Sequence, residues 1–276
     1  MFGIPCERLT GGSLTDASVI EDRPLLRIRG ASLRFGGIAA LEDVSFDVRP
    51  GEICGLIGPN GAGKTTLFNC LSRLYDVEKG EILFEGRSLR ERSKYDVARL
   101  GIGRTFQNLA LFHSMSVRDN VLVGGHCKSG GGFFADALRL PKVARSERRL
   151  GERAAELLAT LDLTGVAAAP VSSLPFATRK RVELARALAS GPKLLLLDEP
   201  AGGLTHEEVG KLRELILSIR ERLGVTILLV EHHVGLVMQV SDTVVVLDFG
   251  KKIAQGTPAD IQRNPEVIRA YLGGAA

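Results

Sequence analysis

The nine residues GPNGAGKTT, at positions 58–66, constrain the fold of this chain more than any other stretch. They follow the apolar run ICGLI and lead into the helix-like TTLFNCLSRL, so a strand, a glycine-rich turn and a helix are predicted in that order. In that context, Gly-x-x-x-x-Gly-Lys-Thr is typical of a phosphate-binding loop. A glycine-rich turn without a ligand is the alternative. Lys64 and Thr65 favour the phosphate loop, because they supply the cation and the hydroxyl that such a loop needs.

The loop predicts specific contacts to a bound nucleotide. Gly61 and Gly63 allow backbone N–H groups to curl around phosphate oxygens, Lys64 places a positive charge at the β- and γ-phosphates, and Thr65 offers its hydroxyl to Mg²⁺. The predicted nucleotide-contacting residues of the loop are Gly58, Pro59, Asn60, Gly61, Ala62, Gly63, Lys64, Thr65 and Thr66.

A second motif, LLLLDEP at 194–200, supplies acidic chemistry. Its leucines predict a buried parallel strand, and ligands of α/β sheets bind at the carboxyl ends of such strands. Asp198 suits Mg²⁺ directly or through water, and Glu199 can take a proton from an attacking water. A solvated Asp-Glu turn is the alternative. Together with the phosphate loop, the pair favours hydrolysis of a nucleotide over phosphoryl transfer to a small molecule.

The remaining pattern predicts one α/β core with a helical insertion. Short strand-like runs separated by Gly or Pro turns fill 25–86, and predict antiparallel strands that lead into one buried strand. VTILLVEHH and DTVVVLDFGKKIAQG resume the apolar strand pattern, as expected for strands covered by helices on both faces. Between these blocks, KSGGG and the helix-like FFADALRL precede a helix with one apolar face, formed by Leu150, Ala154, Leu157, Leu158 and Leu161.

Composition narrows the class of protein. The net charge is only +4, and the Arg-rich runs RSERR and TRKR lie beside Glu and apolar helix positions, so solvated helix faces are favoured over a nucleic-acid surface. The four cysteines form no CxxC pair, which indicates reduced thiols. No apolar run approaches the ~18 residues of a membrane span and no secretory signal is evident, so we expect a cytoplasmic protein that reaches a membrane through a partner.

With these residues in hand, the chain resembles the nucleotide-binding subunit of ATP-binding-cassette (ABC) transporters, over essentially residues 25–275. The resemblance implies a P-loop NTPase (RecA-like) α/β core with an antiparallel β subdomain and an inserted α-helical subdomain. It divides the chain into a flexible N-terminal tail at 1–24, an ABC ATPase domain at 25–250 and a C-terminal extension at 251–276. The helical subdomain is expected at about 96–184.

The resemblance also assigns roles to single residues. LRFGGIAALEDVSFDVRPGE places Phe35 where the family has the ring that stacks on adenine, a core Phe being the alternative. RTFQNLALF matches the family's Q-loop, with Phe106 to Phe112 near a transmembrane partner, and LLVEHHVGLV places His232 at the γ-phosphate. The implied catalytic residues are Glu199, His232 and Gln107, and the implied Mg²⁺ ligands are Thr65, Gln107 and Asp198.

The family signature Leu-Ser-Gly-Gly-Gln is altered in this chain, where 174–178 reads LPFAT. In the family, the signature of one subunit closes over the ATP of the other, so Pro175, Ala177 and Thr178 are implied contacts to a partner's nucleotide. Pro175 lacks a hydroxyl, but Pro is tolerated in a first helical turn and the helix start still offers N–H groups. Thr205 and His233 also replace residues that are usually Asp in the family.

Within the family, RTFQNLALFHSMSVRDNVLVG, the insert FFADALRLPKVARSERR and the ending GTPADIQRNPEVIRAYLGG resemble the first ATPase subunit of branched-chain amino-acid importers. The implied ligands are ATP and Mg²⁺. The implied partners are a second ATPase subunit or a second copy, transmembrane permeases and, indirectly, a periplasmic or extracellular solute-binding protein; nucleic acid is not expected. The implied location is peripheral, on the cytoplasmic face of the inner membrane.

Three alternatives stay open: a lipopolysaccharide-type export ATPase, a soluble ABC ATPase acting on nucleic acid, and a nucleotide switch that barely hydrolyses ATP.

Overall fold

A computed structural model of the chain describes residues 23–107, 109–128 and 141–272. The strands, in chain order, are β1 (Leu26–Phe35), β2 (Ile38–Val48), β3 (Ile53–Ile57), β4 (Lys79–Phe84), β5 (Arg87–Ser88), β6 (Ile102–Arg104), β7 (Leu194–Asp198), β8 (Thr226–Val230), β9 (Thr243–Asp248) and β10 (Lys251–Gly256). They form a four-stranded antiparallel sheet of order β2-β1-β4-β5 and a six-stranded sheet of order β10-β9-β3-β8-β7-β6. The larger sheet is parallel except for β10, which pairs antiparallel with β9. The predicted P-loop NTPase fold class is confirmed.

The helices of the described residues are α1 (Lys64–Leu71), α2 (Val97–Leu100), α3 (Val117–Gly125), α4 (Pro141–Thr160), α5 (Phe176–Ala189), α6 (His206–Leu223), α7 (Val234–Val240), α8 (Pro258–Arg263) and α9 (Pro265–Leu272). Short 3-10 turns add Leu89–Glu91, His126–Lys128, Thr164–Val166 and Val171–Ser173. Within the described ranges, none of these helices is both long and apolar enough to cross a membrane.

The central residues of the parallel strands are apolar because both faces of their part of the sheet are buried. Alternate residues such as Leu195 and Ile227 pack into one core cluster with α3, α4, α5, α6 and α7. Their neighbours, such as Leu196 and Leu228, pack into a second cluster with β1, β2, β4 and α1. On the second face the expected helix, α1, is joined by the antiparallel sheet, which the expectation of helices on both faces did not include.

The predicted apolar face of α4 is confirmed. Ala154, Leu157 and Leu158 are buried against the first cluster, as is Leu161 just after the helix, while Leu150 is half-buried. The helix-like FFADALRL before α4, nearly all of KSGGG, and most of the predicted tail at 1–24 lie outside the described residues.

Strand pairing crosses two of the expected domain boundaries. The helical subdomain, expected at about 96–184, includes β6, whose Ile102 to Arg104 pair with Leu194 to Leu196 at the edge of the parallel sheet. Helix α5 also continues beyond 184 to Ala189. The expected break at residue 250 falls inside the β9–β10 hairpin, so the first part of the C-terminal extension belongs to the core sheet.

Helix capping explains two of the residues that depart from the family pattern. Thr205 precedes α6 and forms a capping box with Glu208, whose backbone N–H donates to Thr205 Oγ1 while its carboxylate accepts the Thr205 N–H at 2.7 Å. His233 precedes α7, and its Nδ1 accepts the Leu236 N–H at 3.1 Å. Each side chain supplies the acceptor that an Asp would supply at a helix start. Both helices therefore keep a capped N-terminus.

We predict that Thr205→Ala lowers the free energy of unfolding by about 1 kcal/mol, because it removes the N-cap acceptor of α6. Thr205→Asp is the matched control and should keep wild-type stability, since Asp caps at least as well as Thr. Urea unfolding followed by circular dichroism compares the three proteins. Equal losses in the Ala and Asp variants would contradict the capping role.

Candidate active site

The phosphate loop connects β3 to α1 in a conformation that needs glycine. Gly61 has φ 79° and Gly63 has φ 97°, both in the left-handed region. A Cβ on Gly63 would also approach the Ala40 carbonyl oxygen to 2.5 Å. The loop is further fixed to the β9–β10 turn, because the Gly250 N–H donates to the Ala62 carbonyl at 3.1 Å.

Lys64 holds a buried positive charge inside this loop. Its ammonium donates to the carbonyls of Gly58 at 2.7 Å and Pro59 at 2.9 Å. Burial lowers the pKa of Lys64, and the nearby negative charge of Glu199 opposes that shift. Thr65 is exposed and Thr66 is half-buried in the first turn of α1. The loop thus combines a fixed cation, a hydroxyl at the surface and a helix N-terminus.

Two of the predicted catalytic residues, Gln107 and His232, contact the carboxylate of the third, Glu199. The Gln107 side-chain amide donates to Glu199 Oε2 at 2.9 Å, and His232 Nε2 lies 2.7 Å from Glu199 Oε1. The three residues follow β6, β7 and β8 in turn, and the carboxyl ends of parallel strands meet at one edge of the sheet. Each carboxylate oxygen of Glu199 is therefore bonded to a different side chain.

The backbone of Glu199 is also fixed. Its φ of 48° lies in the left-handed region, which costs a non-glycine residue on the order of 1 kcal/mol. Its N–H donates to the Val230 carbonyl at 2.9 Å, and its own carbonyl accepts from Lys180 Nζ at 3.2 Å and from the Gly202 N–H at 3.1 Å. These bonds hold the strained turn that directs the carboxylate.

Asp198 forms a buried ion pair that the sequence analysis missed. Arg104 Nη2 donates to Asp198 Oδ2 at 2.8 Å, with only 9% and 4% of the two side chains exposed. Arg104 Nη1 also donates to Asn69 Oδ1 at 3.0 Å and Ser72 Oγ at 2.9 Å. One Asp198 oxygen is thus occupied by a guanidinium. The only signal in the sequence is an Arg three residues before Gln107, at the end of a short apolar run.

Glu231 is a second residue that the sequence analysis missed. Its buried carboxylate accepts the backbone N–H groups of Ala201, His232 at 3.0 Å and His233 at 3.2 Å. It therefore joins the loop after β7 to the loop after β8, and it fixes the backbone that carries His232. A lone acid closing the apolar run TILLV was the signal that could have indicated it.

Phe35 is not a core residue, so the alternative to the adenine-side position is wrong. It ends β1 with 47% of its surface exposed. Its ring packs edge-on against Tyr75, with the centroids 5.1 Å apart. Stacking of the exposed ring on adenine stays a prediction.

The altered signature forms the start of α5. Pro175 is the N-cap residue rather than part of the first turn, which corrects the expected placement by one residue. Ala177 and Thr178 are half-buried in that first turn, whose N–H groups have no carbonyl one turn earlier to bind. With Asp198, these residues border a cavity of about 330 Å³ that does not include the phosphate loop.

Comparisons with known proteins agree with this fold. A family model described as ABC transporter matches residues 41–202, and one described as branched-chain amino acid ATP-binding cassette transporter matches residues 251–276. The high-affinity branched-chain amino acid transport ATP-binding protein LivG of Escherichia coli (strain K12) is 43% identical over 92% of this chain and 99% of that protein. BraF of Pseudomonas aeruginosa, with the same description, is 42% identical over the same shares. A crystal structure of the ADP conformation of an ATP-binding cassette of an ABC transporter superposes with a TM-score of 0.79 at 28% identity, over 91% of this chain and 99% of that chain.

A phosphate loop beside a carboxylate held at the carboxyl edge of a parallel sheet defines a nucleotide-hydrolysing P-loop protein. The chain belongs to the ABC transporter family, as an ATP-binding subunit and a transport-coupled ATPase.

We predict that Arg104→Ala lowers the free energy of unfolding by about 3–5 kcal/mol, because it leaves the buried Asp198 carboxylate without its partner. Arg27→Ala is the control. It breaks the Arg27–Asp47 pair, which has the same chemistry but is partly exposed, and should cost less than about 1 kcal/mol. Equal shifts of the urea midpoint in the two variants would contradict this account of Arg104.

Proposed function

We propose that this chain is the ATP-hydrolysing subunit of an importer for branched-chain amino acids or related small polar solutes. The observation that carries the proposal is its similarity to LivG and BraF over nearly their whole length. The family match at 251–276 supports the same class of transporter. The chain supplies energy to the transporter rather than a binding site for the solute.

The residues of the loop fit a nucleoside triphosphate with Mg²⁺. Lys64 would neutralise phosphate charge, and Thr65 with Asp198 offers the oxygen ligands that Mg²⁺ prefers. Among the described residues, no group of three or more His, Cys, Asp or Glu could hold a metal ion by itself. Mg²⁺ usually takes its other ligands from phosphate and water, so an all-protein cage is not required. The exposed ring of Phe35 would stack on the base.

Glu199 would act as the general base. ATP supplies a phosphoanhydride bond that water can split. Glu199 accepts the proton of that water, while Gln107 and His232 hold its two oxygens in place. Lys180 holds its backbone, and Glu231 holds the backbone of His232. These hydrogen bonds preorganise the Glu199 carboxylate, and preorganised groups lower a barrier.

A second ATPase subunit would complete each nucleotide site. The start of α5, with Pro175, Ala177 and Thr178, would face the partner's nucleotide through the first-turn N–H groups. These departures concern only what the chain gives its partner, since its own phosphate loop, Glu199 and His232 are in place. In a heterodimer, the two ATP sites would therefore be unequal.

Permease subunits would dock in a groove of about 340 Å³ beside the Q-loop. Leu74 and Phe106 border the groove, and both are large exposed apolar residues. Phe106 directly precedes Gln107, so movement of a docked permease segment would reach the Glu199 contact through one peptide unit. Docking would hold the chain at the cytoplasmic face of the inner membrane.

The function is tested on the complex purified through an affinity tag on this chain and reconstituted into vesicles with its solute-binding protein. We expect leucine, isoleucine or valine to stimulate ATP hydrolysis and to accumulate in an ATP-dependent manner. Stimulation by lipopolysaccharide, with none by amino acids, would instead identify an exporter. Hydrolysis that responds to neither would contradict the importer proposal.

We predict that Glu199→Gln keeps ATP binding but slows turnover by on the order of 10² or more, because the positioned base is lost. Lys64→Ala should instead abolish tight MgATP binding, since the buried cation of the loop is removed. Fluorescent-nucleotide binding and phosphate release separate the two effects. A near-wild-type rate in Glu199→Gln would move the base role elsewhere.

A further inference from the structure

Helix α5 presents Lys180, Glu183 and Arg186 on one face, because residues three apart on a helix are neighbours. Lys180 Nζ donates to the backbone carbonyl of Glu199 at 3.2 Å. Glu183 and Arg186 contact the Q-loop, at Phe106 and Ala110. One helix face thus holds both the Glu199 turn and the segment that carries Gln107.

Glu183 and Arg186 attach the Q-loop to α5 on both sides of Gln107. The Glu183 Oε1 accepts the Phe106 N–H at 3.0 Å. The guanidinium of Arg186 donates to the Ala110 carbonyl. The two peptide groups that flank the Gln107 segment are therefore attached to the same helix.

The burial of Glu183 shows that this attachment is a strong constraint. Only 4% of the residue is exposed. Burial raises the pKa of Glu183, while the Phe106 N–H and the cations Arg186 and Lys180 oppose that shift. A buried carboxylate is costly unless it is hydrogen-bonded, so displacing the loop would leave Glu183 unsatisfied.

Gln107 itself is exposed, and its side-chain amide is bonded to Glu199. Because no packed neighbours surround an exposed side chain, little besides its own backbone limits where it can move. Holding it in one place also costs conformational entropy. The position of the Gln107 amide therefore depends on the backbone that carries it. A displacement of about 1 Å in a positioned group can cost on the order of 10²-fold in rate.

We propose that Glu183 is a positioning residue for ATP hydrolysis: it fixes the backbone directly before Gln107, where Arg186 fixes it at Ala110, and so holds the Gln107 amide against the Glu199 carboxylate. The inference rests on the proposed roles of Gln107 and Glu199. Pro175 caps the same helix, so the altered signature and the support of Gln107 lie on one element.

A double-mutant cycle tests the proposal. Glu183→Ala, Gln107→Ala and the double variant are compared in the tagged complex, with kcat and the KM for ATP measured for each. We expect each single change to lower kcat by roughly 10- to 100-fold and to leave KM within about twofold, since the phosphate loop is untouched. The double variant should be no slower than the worse single variant, because both changes remove the same interaction.

Val182→Ala is the matched control. Val182 is fully buried in the adjacent position of α5 and packs into the helical core cluster. Its truncation should lower the melting temperature but keep kcat at a permissive temperature. Glu183→Gln retains one acceptor oxygen and should recover most of kcat. If Glu183→Ala does not fold, Glu183→Met takes its place in the cycle, since it also removes the acceptor oxygens but fills a similar volume.

Three outcomes overturn the proposal in distinguishable ways. Multiplying losses in the double variant would show that Glu183 acts independently of Gln107. A wild-type kcat in Glu183→Ala, with Gln107→Ala impaired, would remove the positioning role alone. A wild-type kcat in Gln107→Ala would remove the proposed role of Gln107, and the inference with it.

Discussion

Burial of the six-stranded sheet on both faces is the constraint on which the rest of the structure depends. Helices cover one face, and the antiparallel sheet with α1 covers the other. Polar chemistry is thereby confined to the ends of the strands, where the backbone leaves the apolar layers. Gln107, Glu199 and His232 come together because their strands are neighbours in a parallel arrangement.

The buried carboxylates near this edge of the sheet each have a partner in the protein. Asp198 is paired with Arg104, while Glu183 and Glu231 accept backbone N–H groups. A buried carboxylate bonded to backbone fixes loops rather than side chains, because moving the loop would leave the charge unsatisfied. The loops that carry Gln107 and His232 are therefore held by the buried carboxylates of Glu183 and Glu231.

The sequence predicted those features whose residues lie close together along the chain. The phosphate loop and the Asp198–Glu199 pair were found because a strand, a motif and a helix follow each other directly. The supports of the site were missed because their partners are remote: Arg104 and Asp198 are 94 positions apart, and Glu183 bonds a residue 77 positions earlier. Strand β6 has three residues, too few to show a pattern, and its existence depends on pairing with β7. The roles of the site residues stay predictions that the mutants above test.

The N-cap residues of α6 and α7 keep the backbone geometry of a helix start without the negative charge of an Asp. Thr205 and His233 begin α6 and α7 with the hydrogen bonds that Asp would make. A hydroxyl and an imidazole nitrogen cap these helices without adding a carboxylate to the connections after β7 and β8. Exchanging Asp for a neutral N-cap residue at such positions therefore changes the electrostatic potential near bound phosphate groups. The helices still start at the same residues.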